Sequence, residues 1–125
     1  MAHRIVDGDS LVITDESGLA QLSIQETVDN QVVSFKLSGS ITMELAHDFE
    51  DELMSVATVC NHIIIDFSEV DSISSIGLKA LLNVQQIFDS RPIGTLKLRS
   101  LSKPVYKTFQ ELGFDALFEI ESGEN

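Results

Sequence analysis

The stretch His62-Ile63-Ile64-Ile65-Asp66-Phe67-Ser68-Glu69-Val70-Asp71-Ser72-Ile73-Ser74-Ser75-Ile76-Gly77-Leu78-Lys79-Ala80-Leu81-Leu82 begins as an unbroken apolar run and ends with apolar residues at helical spacing. Ile63, Ile64 and Ile65 are consecutive β-branched residues. A strand tolerates such a run best when sheet neighbours and covering helices bury both its faces. From Leu78 onward, Leu78, Leu81, Leu82, Ile87 and Phe88 recur at three- and four-residue spacing, which predicts a helix from about 75 to 89 buried along one stripe. The serine-rich turn between strand and helix therefore sits at a helix N-terminus. There the first backbone N–H groups lack intrahelical partners, so a serine oxygen, or a phosphate on it, finds donors and a favourable dipole.

Upstream, strands are predicted near 20–27 and 31–38, with Asp29-Asn30 suited to a tight turn between them. Val33, Phe35 and Leu37 alternate with Ser34, Lys36 and Ser38, the period of a half-buried strand. Gly39 ends that strand, and Thr42 is placed to cap a helix with Glu44 in its first turn. The helix buries Ala46, Phe49, Leu53, Val56 and Ala57 and turns Asp48, Glu50, Asp51 and Glu52 outward.

Downstream, Leu96 and Leu98 alternate with Lys97 and Arg99 in a strand, and Pro104 opens a short helix with Val105, Phe109 and Leu112 inward. Leu117, Phe118 and Ile120 suit a last short strand. The order β-β-α-β-α-β-α-(β) makes the chain α/β, with a mixed sheet of four to five strands whose later members are parallel. Residues 1–18, polar and acidic apart from Leu11-Val12-Ile13, read as a loosely attached acidic extension with a short strand at 10–14. One domain then covers 19–121, and 122–125 form a fraying tail.

A chain of 125 residues suits a single core burying roughly two-thirds of its unfolded surface. No apolar stretch approaches the ~18 residues of a membrane span, and the first nine residues lack the apolar core of a secretion signal, so a cytoplasmic protein is expected. The lone Cys60 excludes an internal disulfide and reads as a small buried hydrophobe. The net charge of −12 argues against nucleic acid and anionic membranes, since both need Lys and Arg to neutralise phosphates. Residues 1–90 carry 15 Asp and Glu against 3 Lys and Arg, whereas residues 91–125 carry 5 against 5. The acidic excess is either a solvated face or a docking face for a basic partner.

Catalytic constellations are missing from the sequence. It holds no Gly-rich phosphate cradle, no G-x-S-x-G elbow and no His-rich metal pattern, so neither an enzyme nor a bound cofactor or metal is expected. His3, His47 and His62 are scattered, and His62, at the far end of the strand from the serine turn, is too distant to act as a base for Ser75. Asp66 invites comparison with a phospho-accepting aspartate, but Leu37-Ser38-Gly39-Ser40 offers no carboxylate to share a Mg²⁺ ion, and a hydrogen-bonding Asp is the plainer reading. Ser68, Ser72, Ser74 and Ser75 crowd the turn, and turn chemistry plus an N-cap accounts for a Ser-Ser pair before a helix without any further role.

The run from Asp66 to Leu82 is similar to the signature segment of STAS domains, specifically the anti-sigma factor antagonists. In that family a strand ending in an acidic or amide residue leads to a turn of the type Ile/Met-Asp/Ser-Ser-Ser/Thr/Ala-Gly-Leu and then a helix. Matched on Gly77-Leu78, the family's phosphorylated serine falls on Ser75, Ile76 takes the small-residue position and Ser74 the position often held by Asp. The resemblance extends over about residues 20 to 121. Leu37-Ser38-Gly39-Ser40-Ile41-Thr42 resembles the stretch that opens the first helix, and Ser102-Lys103-Pro104-Val105, Leu112-Gly113-Phe114 and Leu117-Phe118-Glu119-Ile120 resemble the last helix and strand. Thr42 and Ser74 each stand where many members carry Asp.

The resemblance implies a STAS fold with an opening β-hairpin and helices packed mainly on one face. It further implies a partner switch, in which the unphosphorylated domain binds an anti-sigma factor with serine kinase activity. That kinase phosphorylates Ser75 with ATP, and a PP2C-type phosphatase reverses it. The implied partner surface comprises Thr42, Ser74, Ile76, Gly77, Leu78 and Lys79. A second reading keeps the fold without the switch, as a scaffold or an accessory subunit of a transport or signalling complex.

Overall fold

The computed structural model describes residues 3–7, 10–14, 21–29, 32–92 and 94–121. Strands β1 (His3–Asp7), β2 (Ser10–Thr14), β3 (Gln21–Asp29) and β4 (Val32–Ile41) are followed by helix α1 (Ala46–Ala57), β5 (His62–Ile73), α2 (Ser75–Asp89), β6 (Thr95–Arg99), α3 (Lys103–Glu111) and β7 (Glu119–Glu121), with a 3₁₀ turn at Phe114–Ala116 before β7. The seven strands form one sheet in sequence order. Neighbours are antiparallel from β1 to β4 and parallel from β4 to β7. The mixed α/β sheet agrees with the sequence reading, but four to five strands was an undercount.

The undercount lies at the N-terminus. β2 pairs with β3, setting Leu11 opposite Ile24 and Ile13 opposite Leu22, and both Leu11 and Ile13 are buried. The expected short strand at 10–14 is thus present but is not loosely attached: it adds two side chains to the core. The acidic flanks outweighed a three-residue apolar signal in the sequence, while the available β3 edge decides the structure. In the next hairpin Asp29 lies opposite Val32, and Asn30 of the expected turn is outside the described residues.

One face of the sheet carries the helices. Ile63, Ile65 and Phe67 of β5, Phe35 and Leu37 of β4, and Leu96 and Leu98 of β6 are buried there. Phe49 and Leu53 of α1 meet Ile24, Phe35 and Leu37. Phe109 of α3 meets Phe67 edge-on at 6.4 Å and Phe118 at 5.7 Å between ring centroids. The α1 stripe Ala46, Phe49, Leu53, Val56 and Ala57 is buried as its spacing requires. Among the described residues no helix covers the opposite face. Ile64 lies on it, half-buried between Ser34 and Lys97 on the adjoining strands, so the three isoleucines are not sandwiched on both faces as expected.

Other differences are local. Thr42 does not cap α1: the cap position is Leu45, and Thr42 closes a separate turn by accepting the Leu45 N–H at Oγ1 (3.3 Å) and at its carbonyl oxygen (3.2 Å). Leu112 is 48% exposed rather than inward, because α3 ends at Glu111 and the chain reverses through Gly113 at φ +75°. β7 accordingly begins at Glu119, after Leu117 and Phe118.

Gly39 does not end β4, which runs on to Ile41; it lies opposite Leu22 and lets β3 approach closely. Its φ of +112° lies where only glycine is at ease, and a Cβ there would collide with the carbonyl oxygen of Gln21. Gly39→Ala is expected to lower the unfolding free energy by about 2–4 kcal/mol, read as a fall in the urea midpoint at unchanged slope. A shift below about 0.5 kcal/mol contradicts this account of the close approach.

Candidate functional site

β5 does not give way to a turn after residue 67, as its sequence suggests, but continues to Ile73, pairing Ser40 with Ser72 and Ile41 with Ile73 after two register shifts. The serine-rich segment is therefore mostly strand, with Ser68 and Ser72 exposed upon it. Only Ser74 separates strand from helix. Its backbone N–H donates to the Ile41 carbonyl oxygen at 2.8 Å, which fastens the end of β4 to the start of α2.

Ser74 is the N-cap of α2, with extended backbone (φ −78°, ψ 164°), and its Oγ accepts the Gly77 N–H at 3.1 Å. That hydroxyl is committed to the helix. Ser75, the first helical residue, is exposed, and no described side chain or backbone group hydrogen-bonds its hydroxyl. Ile76 follows at 47% exposure. The four candidate serines thus divide by geometry into two on a strand, one spent on a cap and one free.

Gly77 and Leu78 are interior. A Cβ on Gly77 would stand 2.8 Å from Ile41 Cγ2 and 3.0 Å from Ile73 Cγ1, so the missing side chain lets α2 seat on the paired ends of β4 and β5. Leu78 is fully buried. Of the residues implied as partner-binding, Ile76 and Lys79 are exposed, as is the implied phosphosite Ser75, and Thr42 and Ser74 are half-buried, whereas Gly77 and Leu78 act by placing the others.

Met43, 67% exposed, was not read from the sequence. It lies in the turn after Thr42 and follows no period. Since Ile41 pairs with Ile73 and Ser74 binds the Ile41 carbonyl, Met43 emerges at the same end of the sheet as Ile76. Glu44 and Asp71 are exposed nearby in sequence on those same two segments. The first turn of α2 holds no acidic side chain, so its positive end is uncompensated.

The remaining titratable groups lie elsewhere. His62, at the opposite end of β5, shares a 3.0 Å hydrogen bond between Nδ1 and Thr95 Oγ1. His47 pairs with Asp51 on the outer side of α1. Asp66 Oδ1 accepts the Ser68 N–H at 2.8 Å. Cys60 is buried, and loss of solvent pushes its thiol above the ordinary range. Among the described residues no three His, Cys, Asp or Glu side chains cluster to hold a metal ion, and no helix is long and apolar enough to cross a membrane.

The sequence model of the STAS domain matches residues 23–125. No curated protein sequence matches the chain. Among solved structures, an anti-sigma factor antagonist from Mycobacterium paratuberculosis aligns with TM-score 0.71 at 22% identity, over 80% of this chain and 85% of its own. The anti-sigma factor antagonist SpoIIAA of Bacillus, in its unphosphorylated form, aligns with TM-score 0.70 at 17% identity, over 82% and 89%. A sulfate transporter family protein from Wolinella succinogenes aligns with TM-score 0.60 at 22% identity, over 76% and 80%. At these identities the likeness establishes the fold, with its mixed sheet and helices on one face.

The division of labour between the adjacent serines is measurable. Ser74→Ala is expected to cost about 1 kcal/mol of stability through the lost cap, while Ser75→Ala changes stability by less than about 0.5 kcal/mol. Urea unfolding of both variants checks this, and equal effects refute the assignment of Ser74 as the working cap.

Proposed function

We propose that this chain, which belongs to the STAS domain family, is an anti-sigma factor antagonist that binds a kinase-type anti-sigma factor when unphosphorylated and is released by phosphorylation at Ser75. The observation that carries the reading is the pairing of a spent serine with a free one: Ser74 is held in the cap, and Ser75 stands exposed beside exposed Ile76. Similarity in fold to two anti-sigma factor antagonists supports it, and one of them has also been solved in a phosphorylated form.

The physics of release is local. A phosphate on Ser75 adds about −1.5 to −2 charge to a surface where Ile76 and Met43 offer apolar contact and Glu44 and Asp71 are already negative. A partner fitted to the neutral hydroxyl then meets a charge it must desolvate. The domain itself need not rearrange, since the uncompensated N-terminus of α2 can hold the phosphate. In this reading the protein is a substrate and not an enzyme: an anti-sigma factor with serine kinase activity supplies the phosphoryl group from ATP, a PP2C-type phosphatase removes it, and the exchange takes place in the cytoplasm.

A second reading, a non-phosphorylated scaffold or accessory subunit, draws on the similarity in fold to the sulfate transporter family protein. Incubation with ATP and kinase-type anti-sigma factors, followed by mass spectrometry of the peptide containing Ser75, separates the two. Phosphorylation confined to Ser75 supports the switch; an unmodified peptide supports the scaffold.

Ser75→Asp is expected to weaken binding to the anti-sigma factor at least about tenfold, while Ser75→Ala binds like the native protein and accepts no phosphate. Titration calorimetry reads both. Undiminished binding by phosphorylated protein rules out the release step.

A further inference from the structure

The helix-free face carries a row of charges that crosses four strands. Lys36 of β4 is in register with Asp66 of β5, Asp66 with Arg99 of β6, and Arg99 with Glu121 of β7. Read across the sheet, the signs alternate. In the adjoining row Ser34, Ile64, Lys97 and Glu119 are likewise in register, with Ile64 half-buried near the middle of the face. Lys36, Ile64, Asp66 and Arg99 line an open depression of about 210 Å³.

Two properties mark this face. First, β4 to β7 are parallel, and parallel strands are almost always covered on both sides, whereas here helices cover one. Second, the face is nearly neutral while the chain carries −12, because acidic residues such as Asp48, Glu50, Asp51 and Glu52 lie on α1, on the other side of the sheet. Two copies of this chain meet least repulsion through the uncovered face.

We infer that this face is the contact between two copies of the chain, related by a two-fold axis that runs along the strands between β5 and β6. Such an axis sets β5 against β6 of the second copy and β4 against β7. Asp66 then faces Arg99, Lys36 faces Glu121, and Ile64 lies under the aliphatic stem of Lys97, with no like charges opposed. An axis across the strands through the charged row would instead oppose like charges, each residue of the row meeting itself. Strands of the two sheets stay roughly aligned, as in sheets that pack face to face at about 10 Å.

The charges are free to take part. Lys36 pairs with Glu69 at 3.5 Å and Arg99 with Glu121 at 3.0 Å, but all four side chains keep 42% or more of their surface in solvent. Such exposed pairs hold little energy of their own. The Arg99 hydrogen bond, then Lys97, keeps the Glu121 carboxyl below the usual range, so it stays ionised at neutral pH. The opposed strands are β4 to β7 of each copy, and at about 4.8 Å per strand the contact lies at the low end of specific interfaces, where association is weak and concentration-dependent.

Sedimentation equilibrium of the full chain between about 5 and 500 µM at low salt is expected to show a monomer–dimer equilibrium that weakens at high salt. Arg99→Glu alone and Asp66→Arg alone should each weaken it about tenfold or more, while an equimolar mixture of the two variants restores it, since each then meets its opposite. Circular dichroism verifies folding, and Lys36→Glu with Glu121→Lys form a second complementary pair should either variant unfold. A purely monomeric protein overturns the inference. So does a dimer that survives both reversals, or a mixture that fails to associate.

Discussion

The parallel pairing of β4 with β5 is the constraint on which the rest of this structure depends. Parallel strands cannot be joined by a tight turn, so the chain must cross the sheet, and α1 is that crossing. Because β4 and β5 run the same way, their carboxyl ends finish side by side, with Ile41 opposite Ile73. The Ser74 N–H reaches the Ile41 carbonyl, and Gly77 fits against both isoleucines. The exposed surface around Ser75 is thus assembled from two segments about thirty residues apart by one register.

That register also separates the charges. Alternation along β4, β5 and β6 sends Phe35, Ile65 and Leu98 to the helices and Lys36, Asp66 and Arg99 to the other face. The outer side of α1 gathers carboxylates with few bases near them, while the uncovered sheet face interleaves both signs. A strongly acidic chain can in this way keep one surface repulsive and another almost neutral, and the two surfaces suit different partners.

What was legible in the sequence follows signal strength. The extent of α2 and the buried stripe of α1 came from long, regular periods, and the structure agrees with both. The Ser74–Ser75 pair before a helix pointed to a capped start, and the cap falls on Ser74 as the spacing to Gly77 allows. The length of β5 was hidden: its register shifts against β4 break the two-residue period after Phe67, so Ser68 to Ile73 resembles a turn. β2 was weakly legible because three apolar residues amid acids carry little signal until a neighbouring strand edge is present. Met43 belongs to no element, and only the meeting of β4 and β5 gives its exposure a location beside Ile76. Thr42 misled because its capping geometry is real but closes the preceding turn.

The same architecture leaves the fold independent of a charge change at Ser75, as the proposed switch requires. Six residues of α2, from Gly77 to Phe88, are buried, and Ser74 already supplies the cap, so nothing that holds the helix in place passes through the Ser75 side chain. A phosphate there finds backbone donors at the helix start and disturbs no existing hydrogen bond. Had the roles of the two serines been exchanged, modification would remove the cap and about 1 kcal/mol of stability with it. Placing the cap one residue before the free hydroxyl means that a charge on Ser75 changes the exposed surface and not the helix start.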